Sequence, residues 1–215
     1  MTASPALSAK SPAETRQGSG LRDARILQRA ICDSVSTSPE AFLKTADDVN
    51  EFSLDHWEKE IQSSTWAVIE RGQELVGIAV ARWPHREMDQ DIDPKTSRFI
   101  ESVWIDPGLR GRRMGERLMR FLFEVECEKC PDVMQLLLWV FDKNHRAIRL
   151  YERMGFKDTG QRNVDTRGGR TELQYQLAFD TAVVKATGKA VNKAARREDL
   201  RQFGVTYRTL GANTE

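Results

Sequence analysis

At 215 residues, with 40% hydrophobic and 30% charged side chains, the chain can bury one good core, which predicts a single domain with tails. A net charge of +1 gives no global field for steering to nucleic acid or a membrane surface. No apolar run approaches ~20 residues, so no segment reads as a bilayer span.

Residues 1–20, MTASPALSAKSPAETRQGSG, are Ser, Ala, Pro and Gly with scattered charge and no apolar signal core. They read as a disordered leader, and a cytoplasmic address follows by default. From Leu21 to about Ser36, apolar residues at Leu21, Ala24, Ile26 or Leu27, Ala30 or Ile31 and Val35 have helical spacing. Ser38-Pro39-Glu40 offers a cap with Pro at the first helical position, which predicts a short second helix or turn through Ala41–Leu43. Asp55 to Ile61 reads as another helix. Thr65–Ile69 and Leu75–Ala81 are strands on either side of the turn Arg71-Gly72-Gln73.

The loop from Arg82 to Ser97 carries His85, Glu87, Asp89, Asp91 and Asp93. Such a run suits either a solvated tip or a site that attracts a cationic amine. Phe99–Ile105 is an apolar strand, followed by a Pro107-Gly108 turn, a loop dense in Arg and Gly, and a helix from about Arg113 to Lys129. Val133–Phe141 is nearly all apolar, as expected of a parallel strand covered on both faces. In Asn144–Phe156, Tyr151 and Met154 have helical spacing. A closing hairpin follows, Lys157–Val164 and Glu172–Phe179, turned by Arg167-Gly168-Gly169. Thr181–Asp199 has weak helical spacing interrupted by Gly188, and Phe203, Val205 and Tyr207 alternate as a short strand would. A frayed cationic tail reads equally well.

Cys127 and Cys130 form a C-x-x-C, but at the end of a helix and without a second Cys or His pair. A packing role is expected over redox or zinc chemistry. His56, His85 and His145 show no metal spacing, and no metal is expected.

The most informative stretch is Glu101–Gly115, ESVWIDPGLRGRRMG, with Asn144–Phe156, NHRAIRLYERMGF. A strand running through an Arg/Gly loop into a helix is a device for holding phosphate. Helix N-terminal amides lack partners, the dipole adds partial positive charge, and Gly permits close backbone approach. Arg110, Arg112 and Arg113 add full charges suited to phosphate. The strand–helix–strand order implies a right-handed crossover with this loop at the strand's carboxyl end, where α/β sheets bind ligands.

These segments resemble the Gcn5-related N-acetyltransferase (GNAT) superfamily, over roughly residues 20 to 180. Its pyrophosphate loop, Arg/Gln-x-x-Gly-x-Gly/Ala, falls here on Arg110, Gly111, Arg112, Arg113, Met114 and Gly115. Arg113 stands where the family usually has Gly, at a cost of about 1 kcal/mol if that residue takes positive φ. Asn144, Tyr151, Gly155 and Phe156 fit the family's later motif. The resemblance implies an α/β fold, a mixed sheet flanked by helices, with a C-terminal extension over residues 181–215 beyond a 21–180 acetyltransferase domain. It also implies acetyl-CoA as co-substrate and acetyl transfer to a primary amine by direct attack on the thioester.

By the same resemblance, the backbone of Val103, Trp104 and Ile105 pairs with the pantetheine arm, the Val103 N–H polarises the acetyl carbonyl, and residues 110–115 hold the pyrophosphate. Tyr151 would protonate the leaving sulfur, with a core tyrosine as the plain alternative. Alternation places Glu101 on the strand face of Val103 and Ile105, as a candidate base or an ordinary Glu facing solvent or an Arg; His85 is the second candidate. Asn144 fits an N-cap, a ligand, or both. A small-molecule amine is the expected acceptor, with a peptide amine or a non-catalytic acyl-CoA-binding module as alternatives; no nucleic-acid or membrane partner is expected. Family members begin with a strand before the first helix, and none is legible before Gly20. That vacant sheet edge, in the same chain or in a second copy forming a homodimer, is a natural seat for residues 181–210.

Overall fold

A computed structural model describes residues 12–42, 44–84, 89, 91–165, 172–187 and 202–211. Helix α1 spans Pro12–Thr37, so the part of the expected leader from Pro12 onward is helical rather than disordered. Ala, Glu, Arg and Gln in that stretch are good helix formers. Ala24, Leu27, Ile31 and Val35 bury one stripe of the helix. A 3-10 turn at Pro39–Ala41 follows, and then helix α2, Ala46–Asn50, which apolar spacing had not revealed. It is held locally: Thr45 N–H donates to Asp48 Oδ2 at 2.6 Å and Asp48 N–H donates to Thr45 Oγ1 at 3.2 Å, a reciprocal cap. Helix α3, Leu54–Ser63, is capped by Ser53.

Seven strands form one sheet: β1 Thr65–Arg71, β2 Glu74–Arg82, β3 Ser97–Ile105, β4 Gln135–Phe141, β5 Lys157–Asp165, β6 Glu172–Asp180 and β7 Thr206–Thr209. Their order is β5-β6-β4-β3-β2-β1-β7, antiparallel throughout except for β3 beside β4. This is the mixed α/β sheet that the resemblance implies. Helices α4, Met114–Lys129, and α5, His145–Met154, cover one face, where Leu118, Leu122, Phe123 and Met154 pack on Ile69, Ile100 and Leu136. Helices α1 and α3 cover the other, with Leu27, Ile31 and Trp57 on Trp66, Ile78 and Trp104.

The edge beside β1 is taken by β7, from the far end of the same chain, running Ala67↔Thr209 to Glu70↔Thr206. Arg208 fixes it by donating to Asp23 of α1 at 3.0 and 3.3 Å and to Glu70 of β1 at 3.0 Å. Val205 and Leu210 are buried, and Tyr207 stacks on Phe121 with ring centroids 5.5 Å apart. The ladder starts at Thr206; Phe203 and Val205, expected within the strand, form its approach. Helix α6, Ala182–Thr187, is the described part of the expected 181–199 helix. His85, Gly188 and the 167–169 turn lie outside the described residues. Cys127 and Cys130 sit at the end of α4, where burial pushes the Cys127 thiol up, opposite to an activated thiolate.

Candidate active site

The site begins where two strands part. β3 and β4 pair only over Ser97–Phe99 and Gln135–Leu137, so beyond Phe99 the edge of β3 facing β4 has no strand partner. In the same stretch β3 bulges against β2: Ile78 pairs with Trp104 and Val80 with Glu101, leaving Ser102 and Val103 opposite Ala79. Ser102 takes φ 51°, which marks the kink.

The bulge corrects one expectation. Directly paired residues of antiparallel strands share a face. Glu101, paired with Val80, therefore lies on the α1/α3 side with Trp104, while Ile105, paired with Gly77, and Val103 pack on the α4/α5 side. Simple alternation had put Glu101, Val103 and Ile105 together, and the inserted residue breaks that period. The Glu101 carboxylate accepts from Arg82 Nη2 at 2.6 Å, and Arg82 Nη1 lies 3.6 Å from Asp89.

After β3, Asp106 Oδ1 accepts the Gly108 N–H at 2.8 Å, turning the chain into the Arg/Gly loop. Gly111 takes φ 79° with open space where a Cβ would stand, and Arg113 takes φ 59° as the residue before α4. The left-handed condition set for Arg113 is thus met. Arg113 provides no side-chain cap, so the first amides of α4 are left without intrahelical partners. Gly115 is where α5 comes close: a Cβ there would meet Leu150 Cδ2 at 3.2 Å.

This loop, Val103–Ile105 and the inner side of α5 enclose a cavity of about 320 Å³. Arg110, Arg113, Arg146 and Arg153 line it, against Glu40 and Glu116. The loop's arginines divide the work differently from what the sequence suggested. Arg110 donates to the Ile105 carbonyl at 2.9 Å and to Ser38 Oγ at 2.6 Å, pinning the loop to the end of α1. Burial, and then the nearby Arg146, hold its guanidinium below the ordinary arginine range. Arg112 lies over the Phe203 ring at 5.3 Å and does not line the cavity. Arg146 and Arg153 went unread; with Leu150 they share one helical face, a spacing that could have pointed to them.

Asn144 Oδ1 accepts the Ala147 N–H at 3.2 Å, so it caps α5, and it also lines the cavity. Gly155 at φ 98° ends that helix, the Phe156 N–H returns to the Tyr151 carbonyl at 3.0 Å, and Phe156 packs against Tyr151, Phe123 and Phe179. That explains the Asn-to-Gly-Phe spacing physically. Tyr151 is 7% exposed, and burial pushes its hydroxyl up, which keeps it protonated.

A second cavity, about 810 Å³, opens on the α1/α3 side of the strand gap and includes Glu101, Arg82 and Trp139. It shares Phe42, Val103, Asn144, Ala147 and Tyr151 with the first. A cleft lined by arginines and the start of α4 thus meets an open groove at one tyrosine and one kinked strand.

Comparison with known proteins agrees with this architecture. The description "Acetyltransferase (GNAT) family" matches residues 29–156. A spermine/spermidine N(1)-acetyltransferase of Bacillus subtilis is 32% identical over 92 residues, which are 41% of this chain and 56% of the relative, so the chain spans about half the length of that curated protein. Among solved structures, a GNAT-family acetyltransferase from Streptococcus pneumoniae superposes with TM-score 0.60 at 16% identity, covering 74% of this chain and 94% of the other. An acetyltransferase from Salmonella typhimurium, solved with its cofactor acetyl-CoA, superposes with TM-score 0.53 at 20% identity, covering 74% and 86%. With its Arg/Gly loop, parted strands and capped tyrosine helix inside the matched span, the chain belongs to the GNAT family of acetyltransferases.

Proposed function

We propose that the protein is an acetyl-CoA-dependent N-acetyltransferase acting on the primary amine of a small molecule. The observation that carries this reading is the seam between the cavities, where Val103 and Tyr151 border both. One cavity fits the coenzyme. Its open α4 amides, the unobstructed Gly111 backbone, and Arg113, Arg146 and Arg153 suit a pyrophosphate, and the unpaired β3 edge at Val103–Ile105 suits an amide-bearing arm.

Bound acetyl-CoA supplies a thioester already activated for acyl transfer. The chain's residues position the partners and move protons. The amine enters from the groove, its nitrogen bonds to the acetyl carbon, and the C–S bond breaks. The Val103 N–H polarises the carbonyl as negative charge grows on its oxygen. Tyr151, protonated because it is buried, gives its proton to the departing sulfur. The amine's proton leaves toward Glu101 through water, with Arg82 at 2.6 Å orienting that carboxylate. Asn144 holds the start of α5 and so the direction of Tyr151.

A thiol-release assay checks the reading. Free thiol should appear from acetyl-CoA only when a primary amine is added, and acetyl-CoA should raise the thermal midpoint as a native-state ligand does. A folded protein with neither thermal shift nor amine-dependent thiol release would sink it.

A further inference from the structure

The groove's lining carries information about the amine that the coenzyme cavity does not. Four of the chain's five tryptophans, Trp57, Trp66, Trp83 and Trp139, border it. Trp139 lies on β4 where that strand has parted from β3, and Trp83 is 49% exposed. The groove's charge is nearly balanced among the described residues: Lys44 and Arg82 stand against Glu60, Asp89 and Glu101. Arg82 contacts two of those carboxylates. The protein's own cations also take ring faces nearby, Lys44 over Phe52 at 4.8 Å and Arg82 over Phe99 at 5.1 Å. Trp57 is 4% exposed, so the groove meets only a small part of its ring.

We propose that the acceptor is an aromatic monoamine, one ammonium group carried on a flat ring body, rather than a polyamine or a basic peptide. This rests on the acetyltransferase reading above and narrows its substrate. A single ammonium matches the one carboxylate in excess. Among the described lining residues, each further ammonium of a polycation would stand beside Lys44 and Arg82 with no second carboxylate in excess to meet it. A ring body instead gains from offset or edge-on packing against tryptophan. The groove's volume of about 810 Å³ is ample for such a body.

The test measures kcat/KM at saturating acetyl-CoA for phenethylamine, tyramine and tryptamine beside spermidine and a lysine-containing basic peptide. At least one aromatic amine should exceed both others by about 10-fold or more. Trp139→Ala should cut that preference about 10-fold while the KM for acetyl-CoA stays within about twofold. Trp139→Leu, which keeps apolar bulk on β4 and removes the ring, serves the same purpose should Trp139→Ala not fold. Spermidine or the peptide turning over as well as the best aromatic amine overturns the inference. So does a clear acetyl-CoA thermal shift with no aromatic amine consumed, an outcome that leaves the coenzyme reading standing. Absence of both the thermal shift and amine-dependent thiol release removes both readings.

Discussion

The cavity proposed for the coenzyme and the groove proposed for the acceptor adjoin, yet they are built in opposite ways. The first draws mainly on two continuous segments, Val103–Glu116 and Asn144–Arg153, and offers backbone amides, helix ends and arginines. The second gathers side chains scattered from Ile31 to Gln174 across both layers of the fold. A phosphate can be held by what a loop and a helix start present wherever they occur. An apolar body has to be matched by side chains that only folding brings together. Recognition shared by a family is therefore local, and recognition particular to one member is not.

Substitutions on each side should separate the two. The largest effect belongs to the seam: Tyr151→Phe keeps the ring packed on Phe156 and removes only the donor, so kcat should fall by ~10²-fold or more with both KM values little changed. If Tyr151→Phe turns over like the parent with an acceptor whose chemical step limits the rate, Tyr151 is a packing residue. The pH profile adds a sign. Burial raises this hydroxyl above its ordinary value of 10.0, so the proton donor is lost only at pH above 10. An alkaline limb centred below that value that persists in Tyr151→Phe belongs to another group.

Next in size is Glu101→Gln, which retains the shape beside Arg82 but cannot take the amine's proton. Turnover should drop by about 10²-fold while coenzyme KM holds; an unchanged rate under chemical limitation would return Glu101 to a plain partner of Arg82. Arg146→Glu should act on the other side alone, raising the KM for acetyl-CoA by roughly 10-fold or more and leaving the amine's KM in place. Equal loss in both KM values would mean that the cavities are not separable.

Two smaller effects concern the scaffold. Arg208→Ala removes the charged tie between β7, α1 and β1, and should lower unfolding free energy by about 2 kcal/mol and expose the C-terminal segment to trypsin. A chain that loses nothing in denaturant would show that β7 is held by Val205 and Leu210 instead. Arg113→Gly relieves a left-handed residue ahead of α4 and should raise stability by up to about 1 kcal/mol, a few degrees in Tm, while weakening coenzyme binding through the lost cation. A lower Tm would show that the Arg113 side chain contributes more than its backbone costs.

The elements with local signals are legible along the chain. Apolar stripes at helical spacing set α1 and α4, the Pro107-Gly108 turn and Gly111 set the anion loop, and Asn144 with Gly155 set both ends of α5. Each depends on dihedral preference, capping or period, which neighbouring residues specify among themselves. Tertiary structure alone decided the rest. The bulge at Ser102 turned Glu101 to the opposite face, because register is settled between strands and not within one. Arg110 became a pin, because Ser38 lies beside it only after folding. The vacant sheet edge was a legible seat for the C-terminal segment, but that the same chain fills it beside β1, and that four tryptophans converge on one groove, follows from contacts between residues far apart along the chain. Such contacts follow from the sum of packing over the whole domain, and no single segment carries their signal.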